Sequence, residues 1–277
     1  MLTHVIASFI KKHKILIAFA ATSQVLLTYM IFKIPFNIPI LLFVFIATNF
    51  IYLISEDFSS FKISIIQNKW RIKNFILLLE IISLFKLALG FKVAQLILIT
   101  LLGIIAISYN YPFKYNKNST YRIREVKGMK LFVIVLVWSA STVIFPLLYF
   151  KINPLFVILY YINSALLICI VSLKFDIKDY FKDTLEKLKS IPVLIGPMQT
   201  KKLLNRLMLI YFISTISLAY FIEWPIVVAL LLNLIYSYWL IFTYPWEKGE
   251  WYYHVLLDGI LISQAFIVWI GKIYLIL

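Results

Sequence analysis

Apolar runs close to the ~20 residues of a bilayer-crossing helix recur nine times along the chain, at positions 15–32, 39–54, 75–89, 93–109, 131–150, 155–173, 207–222, 226–244 and 255–277. A backbone in lipid must satisfy its own hydrogen bonds, so runs of this length fold as helices. The fold class that follows is all-α and integral to a membrane, with residues 1–277 as one polytopic domain. Hydrophobic residues make up 63% of the chain and charged residues 14%, too little polar surface to cover a soluble domain. Pro35, Pro154 and Pro225 fall between neighbouring runs and Pro39 opens the second, where one helix stops and an antiparallel one starts. The first run continues past Ala18, Phe19 and Ala20 to Phe32, and is expected to be a retained helix rather than a cleaved signal.

The net charge of +15 is concentrated in the gaps. Of 27 lysines and arginines, 22 lie before the first run and in every second loop after it, with five on the other side. Such an excess marks the cytoplasmic face. It places the N-terminus inside, the C-terminus outside, and requires an odd number of spans. Topology accounts for the basic charge, and nucleic acid is not an expected partner. The expected location is a multi-pass position in the bacterial inner membrane. The inner loops, 55–74, 110–130 and 174–206, are the long ones; each has room for a short helix, and long loops commonly carry binding and chemistry. Cys169 is the single cysteine, which excludes an intrachain disulfide.

Within the third inner loop, the stretch 175–196 reads FDIKDYFKDTLEKLKSIPVLIG. Its Asp176, Asp179 and Asp183 are spaced i, i+3 and i+7, which on a continuous helix puts three carboxylates within roughly 60° of arc. Carboxylate oxygens suit a hard cation such as Mg²⁺, which shares its coordination with substrate phosphates. The competing assignment is a solvated helix face, paired as Asp183–Lys187, Lys182–Glu186 and Asp179–Lys182. That pairing does not explain three acids on one face at the end of a span, where charge is costly. Elsewhere, Asp258 follows His254 by four residues and Glu80 lies inside the third run; both are expected to hold helices together through polar contacts, and Asp258, as an intramembrane acid, is also a functional candidate.

The stretch resembles the second aspartate-rich motif of the UbiA superfamily of membrane prenyltransferases, D-x-x-D-x-x-x-D followed by a basic residue, Ser or Thr, Pro and Gly. Asp176, Asp179, Asp183, Lys189, Ser190, Pro192 and Gly196 stand in that register, and a glycine is common where this chain has Lys187. Tyr109 to Lys114, YNYPFK, resembles the tyrosine-proline-lysine segment after the family's fourth helix. The family's first motif, N-D-x-x-D-x-x-x-D, is degenerate here: Asn49 and Asp57 match, while Phe50 and Leu53 stand where the family has aspartates.

The resemblance implies a bundle of nine helices whose two motifs face each other and bind Mg²⁺ bridging a prenyl diphosphate. It implies metal ligation by Asp176, Asp179, Asp183, Asn49 and Asp57, with Asp176 and Asp179 carrying catalysis. Lys114, Arg122, Arg124, Lys178 and Lys189 are the candidates for binding the diphosphate. The function implied is Mg²⁺-dependent transfer of an isoprenoid chain from a prenyl diphosphate to an acceptor. The alternative is a catalytically impaired relative that binds an isoprenoid lipid or a partner protein.

Overall fold

The computed structural model describes residues 14–59, 69–116, 119–243 and 252–273. Nine long helices stand among them: α1 (Ile15–Phe32), α2 (Ile38–Ser59), α3 (Lys69–Ala88), α4 (Val93–Asn110), α5 (Met129–Leu147), α6 (Pro154–Lys178), α9 (Pro197–Ser217), α10 (Trp224–Thr243) and α11 (Asp258–Ile273), the last entered through a π-helical segment, Tyr252–Leu257. Two short helices, α7 (Tyr180–Leu185) and α8 (Ile191–Ile195), lie between α6 and α9. Eight of the nine long helices are long and apolar enough to cross a membrane. The other, α3, carries Lys69, Arg71, Lys73, Glu80 and Lys86.

The centre of the bundle is α1, with 67% of its residues buried against 17% for the apolar window of α2. Small residues allow this: Ala18, Ala20, Ala21 and Ser23 are buried and let α11 and α2 approach, as small side chains do between membrane helices. Side-chain hydrogen bonds tie the centre together. Gln24 Nε2 donates to Gln264 Oε1 at 3.1 Å, and Gln264 Nε2 donates to the Tyr211 hydroxyl at 2.9 Å, linking α1, α11 and α9. Away from this centre, Phe75, Leu78, Ile82 and Phe85 of α3 are exposed, as a lipid-facing helix requires.

One irregularity in α5 has a local cause. Pro146 has no N–H to give the carbonyl of Thr142 four residues back, and a π-helical turn over Ala140–Ile144 precedes it. The Thr142 carbonyl is satisfied from α1 instead, by the Thr28 hydroxyl at 2.8 Å. The helix break thus becomes an interhelical bond.

Loop 174–206 holds two short helices, and loop 110–130 departs from expectation. It contains a hairpin, β1 (Phe113–Asn116) with β2 (Ser119–Tyr121), and a 3₁₀ turn at Ile123–Glu125. Pro112 cannot continue α4, and the aromatic and β-branched residues beyond it favour strand pairing. In loop 55–74 only the flanks are described, as extensions of α2 and α3.

Candidate functional site

The end of α6 sets the geometry. The helix stops at Lys178, Asp179 takes a bridge conformation (φ −82°, ψ 5°), and the chain resumes as α7. Helical spacing survives the break because the Asp179 amide donates to the Phe175 carbonyl at 3.0 Å and the Asp183 amide to that of Asp179 at 2.7 Å. Asp176 and Asp183 therefore point the same way, and both are buried. Between them lies Lys130, from the first turn of α5: its Nζ is 2.8 Å from Asp176 Oδ1 and 2.8 Å from Asp183 Oδ2. The three side chains are 14%, 5% and 3% exposed in the order lysine, Asp176, Asp183.

The loop after α7 explains why Lys130 is there. Lys187 is left-handed (φ 56°), turning the chain at the position where the resemblance has glycine. Two residues on, the Lys189 carbonyl accepts from the Gly128 amide at 3.1 Å, and Gly128 is itself left-handed (φ 69°) just before α5 begins. The aspartate segment is clipped in this way to the start of the helix that carries Lys130. Ser190 precedes α8 and is buried, Pro192 lies in its first turn, and Gly196 (φ 81°, ψ 152°) joins α8 to α9 in a region that essentially only glycine occupies.

Three adjoining cavities surround this end of the bundle, and Tyr52 and Trp138 line all of them. The acidic one, about 240 Å³, is walled by Asp176, Asp179, Asp258, Lys130 and Lys14. A second, about 380 Å³, carries Lys14, Arg124 and Lys182 together with Ser55, Tyr109 and Asn110. The third, about 230 Å³, is apolar, with Phe43, Phe50, Leu84, Ile99 and Phe145 in its walls. Among the described residues no hydrogen-bond partner reaches Asp176 Oδ2 or Asp258 Oδ2, and no side-chain hydrogen bond or ion pair engages Asp179. No group of three or more His, Cys, Asp or Glu among the described residues forms a metal cage by itself. Asp176 and Asp179 nevertheless bring two carboxylates to the wall of one cavity. That is the usual protein share for an Mg²⁺ ion completed by phosphates and water, so this donor set fits one such ion.

The remaining expected site residues are distributed more widely. Asn49 is buried and donates to Glu80 Oε1 of α3 at 2.5 Å, away from the acidic cavity. This bond is the interhelical role expected for Glu80. Phe50, where the resemblance has an aspartate, forms part of the apolar cavity, and Leu53 is buried at 4% exposure. The side chains of Asp57, Lys114 and His254 lie outside the described residues. Arg124 donates to Asn110 Oδ1 at 3.3 Å and pairs with Glu186 at 3.1 Å, and Asn110 donates onward to the Ser55 hydroxyl at 2.9 Å. Arg122 opens the 3₁₀ turn, its amide donating to Glu125. Lys178 lies over the Tyr253 ring, 4.8 Å from its centroid; burial, then the charge of Asp179, pushes the Tyr253 hydroxyl up to about 12. Lys189 is exposed, and its backbone rather than its ammonium is engaged at the site.

Of the solvated pairs, Lys182–Glu186 reaches 4.0 Å, whereas Asp183 takes Lys130 in place of Lys187. Lys14, Lys130 and Tyr52 were not among the expected site residues. Asp258 carried a signal, an acid inside an apolar run. Lys130 carried none, since inner loops are basic for topology alone.

No family model and no curated protein sequence matches the chain. Solved structures do. A UbiA homologue from Aeropyrum pernix K1 in its apo form superposes with a TM-score of 0.65 at 14% identity, covering 94% of this chain and 98% of that one. A UbiA homologue from Archaeoglobus fulgidus bound to DMAPP and Mg²⁺ gives 0.64 at 16% identity over 95% and 98%. A structure of digeranylgeranylglyceryl phosphate synthase gives 0.58 at 16% over 95% and 99%. Agreement over nearly the whole of both chains at such low identity is agreement of fold: this chain has the fold of the UbiA homologues.

Proposed function

We propose that this protein transfers an isoprenoid chain from a prenyl diphosphate to an acceptor, within the cell membrane and with Mg²⁺ on Asp176 and Asp179. The observation that carries the reading is the juxtaposition of an acidic cavity, a cationic cavity and an apolar one around the shared walls of Tyr52 and Trp138. The ligands of the similar structures, DMAPP or GPP with Mg²⁺, have three matching parts: an ion, a diphosphate and an apolar tail.

In the proposed reaction the bond between the prenyl C1 and its oxygen breaks, and the electron pair leaves on the diphosphate. A nucleophilic atom of the acceptor bonds to C1 and releases a proton. Mg²⁺, when bound, supplies positive charge where the leaving diphosphate gains negative charge. Asp176 and Asp179 hold that charge in place, and Lys14, Lys130 and Arg124 offer further cations at the cavity walls. Phe50, Phe43 and Trp138 shield the allylic cation from water. Purified protein with a prenyl diphosphate is expected to release diphosphate only when Mg²⁺ is present, and Asp179→Ala is expected to lower the rate at least tenfold. Release that is indifferent to both would remove the reading.

The proposal includes nine spans with α3 crossing, the N-terminus cytoplasmic and the site opening inward, on the strength of the loop charges. In a Cys169→Ser background, a cysteine at Lys151 should react with an impermeant maleimide added outside cells, and one at Lys187 should not. The reverse pattern would invert the topology.

The second reading, a relative that binds an isoprenoid lipid without turnover, is favoured by one observation: Lys130 is already paired with two of the three aspartates. It predicts lipid binding with no diphosphate release.

A further inference from the structure

Lys130 presents more than a structural ion pair. An ammonium has three N–H donors, and here two are directed at Asp176 Oδ1 and Asp183 Oδ2, each at 2.8 Å. The side chain also lines the acidic cavity, together with Asp179 and with Asp176, whose Oδ2 has no partner among the described residues. The cluster is thereby divided. One oxygen of Asp176 and the Asp183 carboxylate are committed to a resident cation, and the other Asp176 oxygen and Asp179 remain for an arriving one. Across the cavity, α2 contributes Tyr52 and no described carboxylate.

We infer that Lys130 is a built-in counter-cation standing where a second divalent ion would otherwise bind, so that this site takes a single divalent ion and presents the third N–H of Lys130 to a phosphate oxygen beside it. The physical ground is charge and geometry. A hard divalent ion needs carboxylate oxygens that are not already engaged. Placing a second one on Asp183 and Asp176 Oδ1 would bring it against the ammonium in a buried site, where like charges are weakly screened. The inference rests on the reading of this cavity as a metal-assisted diphosphate site, and it deepens that reading by assigning Lys130 a contact with the diphosphate.

The test reads metal binding, with no turnover involved. Full-length protein in lipid nanodiscs, saturated with inorganic pyrophosphate, is titrated with Mn²⁺ and followed by electron paramagnetic resonance. Wild type is expected to bind about one Mn²⁺ per chain, and Lys130→Arg, which keeps the cation, to do the same. Lys130→Gln is expected to bind two, the second at a site absent from wild type, or to bind the first at least tenfold more tightly. Two ions in wild type, no binding at all, or a folded Lys130→Gln indistinguishable from wild type would overturn the inference. If Lys130→Gln does not fold, the wild-type stoichiometry and Lys130→Arg still decide it. The two readings separate cleanly. One bound Mn²⁺ without diphosphate release would remove the transfer function and leave the single-ion site, while two ions with normal release would do the opposite.

Discussion

Lys130→Met will destabilise the folded protein by about 3–5 kcal/mol, the usual cost of removing one partner from a buried ion pair. Methionine fills a similar space, so packing is not the cause. The cause is that Asp176 and Asp183, at 5% and 3% exposure, both lose a counter-charge 2.8 Å away, and a buried carboxylate without a partner is strongly unfavourable. Reversible unfolding in mixed detergent micelles measures the change. Adding Asp183→Asn to Lys130→Met should recover part of the loss, because the two changes act on one network and cannot be additive. Mn²⁺ should stabilise Lys130→Met more than wild type, since a ligand favours the state that binds it. An unfolding free energy within about 0.5 kcal/mol of wild type, the range of an ordinary surface change, would show that the triad contributes nothing.

The second large effect is on chemistry. Asp176→Ala is expected to reduce Mg²⁺-dependent diphosphate release by about 10²–10³-fold, the scale seen when one preorganised electrostatic group is removed from a site. Asp176 is the only residue of the cluster that meets both cations of the proposed site. Its Oδ1 holds Lys130, its buried Oδ2 has no hydrogen-bond partner among the described residues, and the residue lines the acidic cavity. Alanine therefore removes a metal donor and loosens the ammonium at once. Asp183→Ala removes only a contact to Lys130 and should cost less. Steady-state release by each variant, compared at matched folded fraction, checks the order. Release by Asp176→Ala at or above that of Asp183→Ala would contradict the assignment.

Much of the architecture was legible because membranes impose simple rules. Apolar length announced the helices. The boundaries were less so. The seventh helix begins at Pro197, where residues 207–222 were expected, because Lys201, Lys202 and Arg206 extend it beyond its apolar part. Periodicity also placed the three aspartates together, although α6 stops at Lys178 and the spacing is carried across the break by two backbone hydrogen bonds.

The sequence by itself determined a membrane bundle and an acidic cluster at the end of its sixth helix. Each of these depends on local periodicity or composition, which a linear pattern records. Only the tertiary structure decided that Asn49 bonds Glu80 rather than facing the cluster, that Asp258 from the last helix joins the acidic cavity, and that Lys130 holds Asp176 and Asp183. These partners are 31 to 82 residues apart in the chain, and no spacing rule connects them. What connects them is the packing of α2 against α3, and of α1, α5, α6 and α11 around one end of the bundle, where a buried charge must find its partner on whichever helix lies next to it.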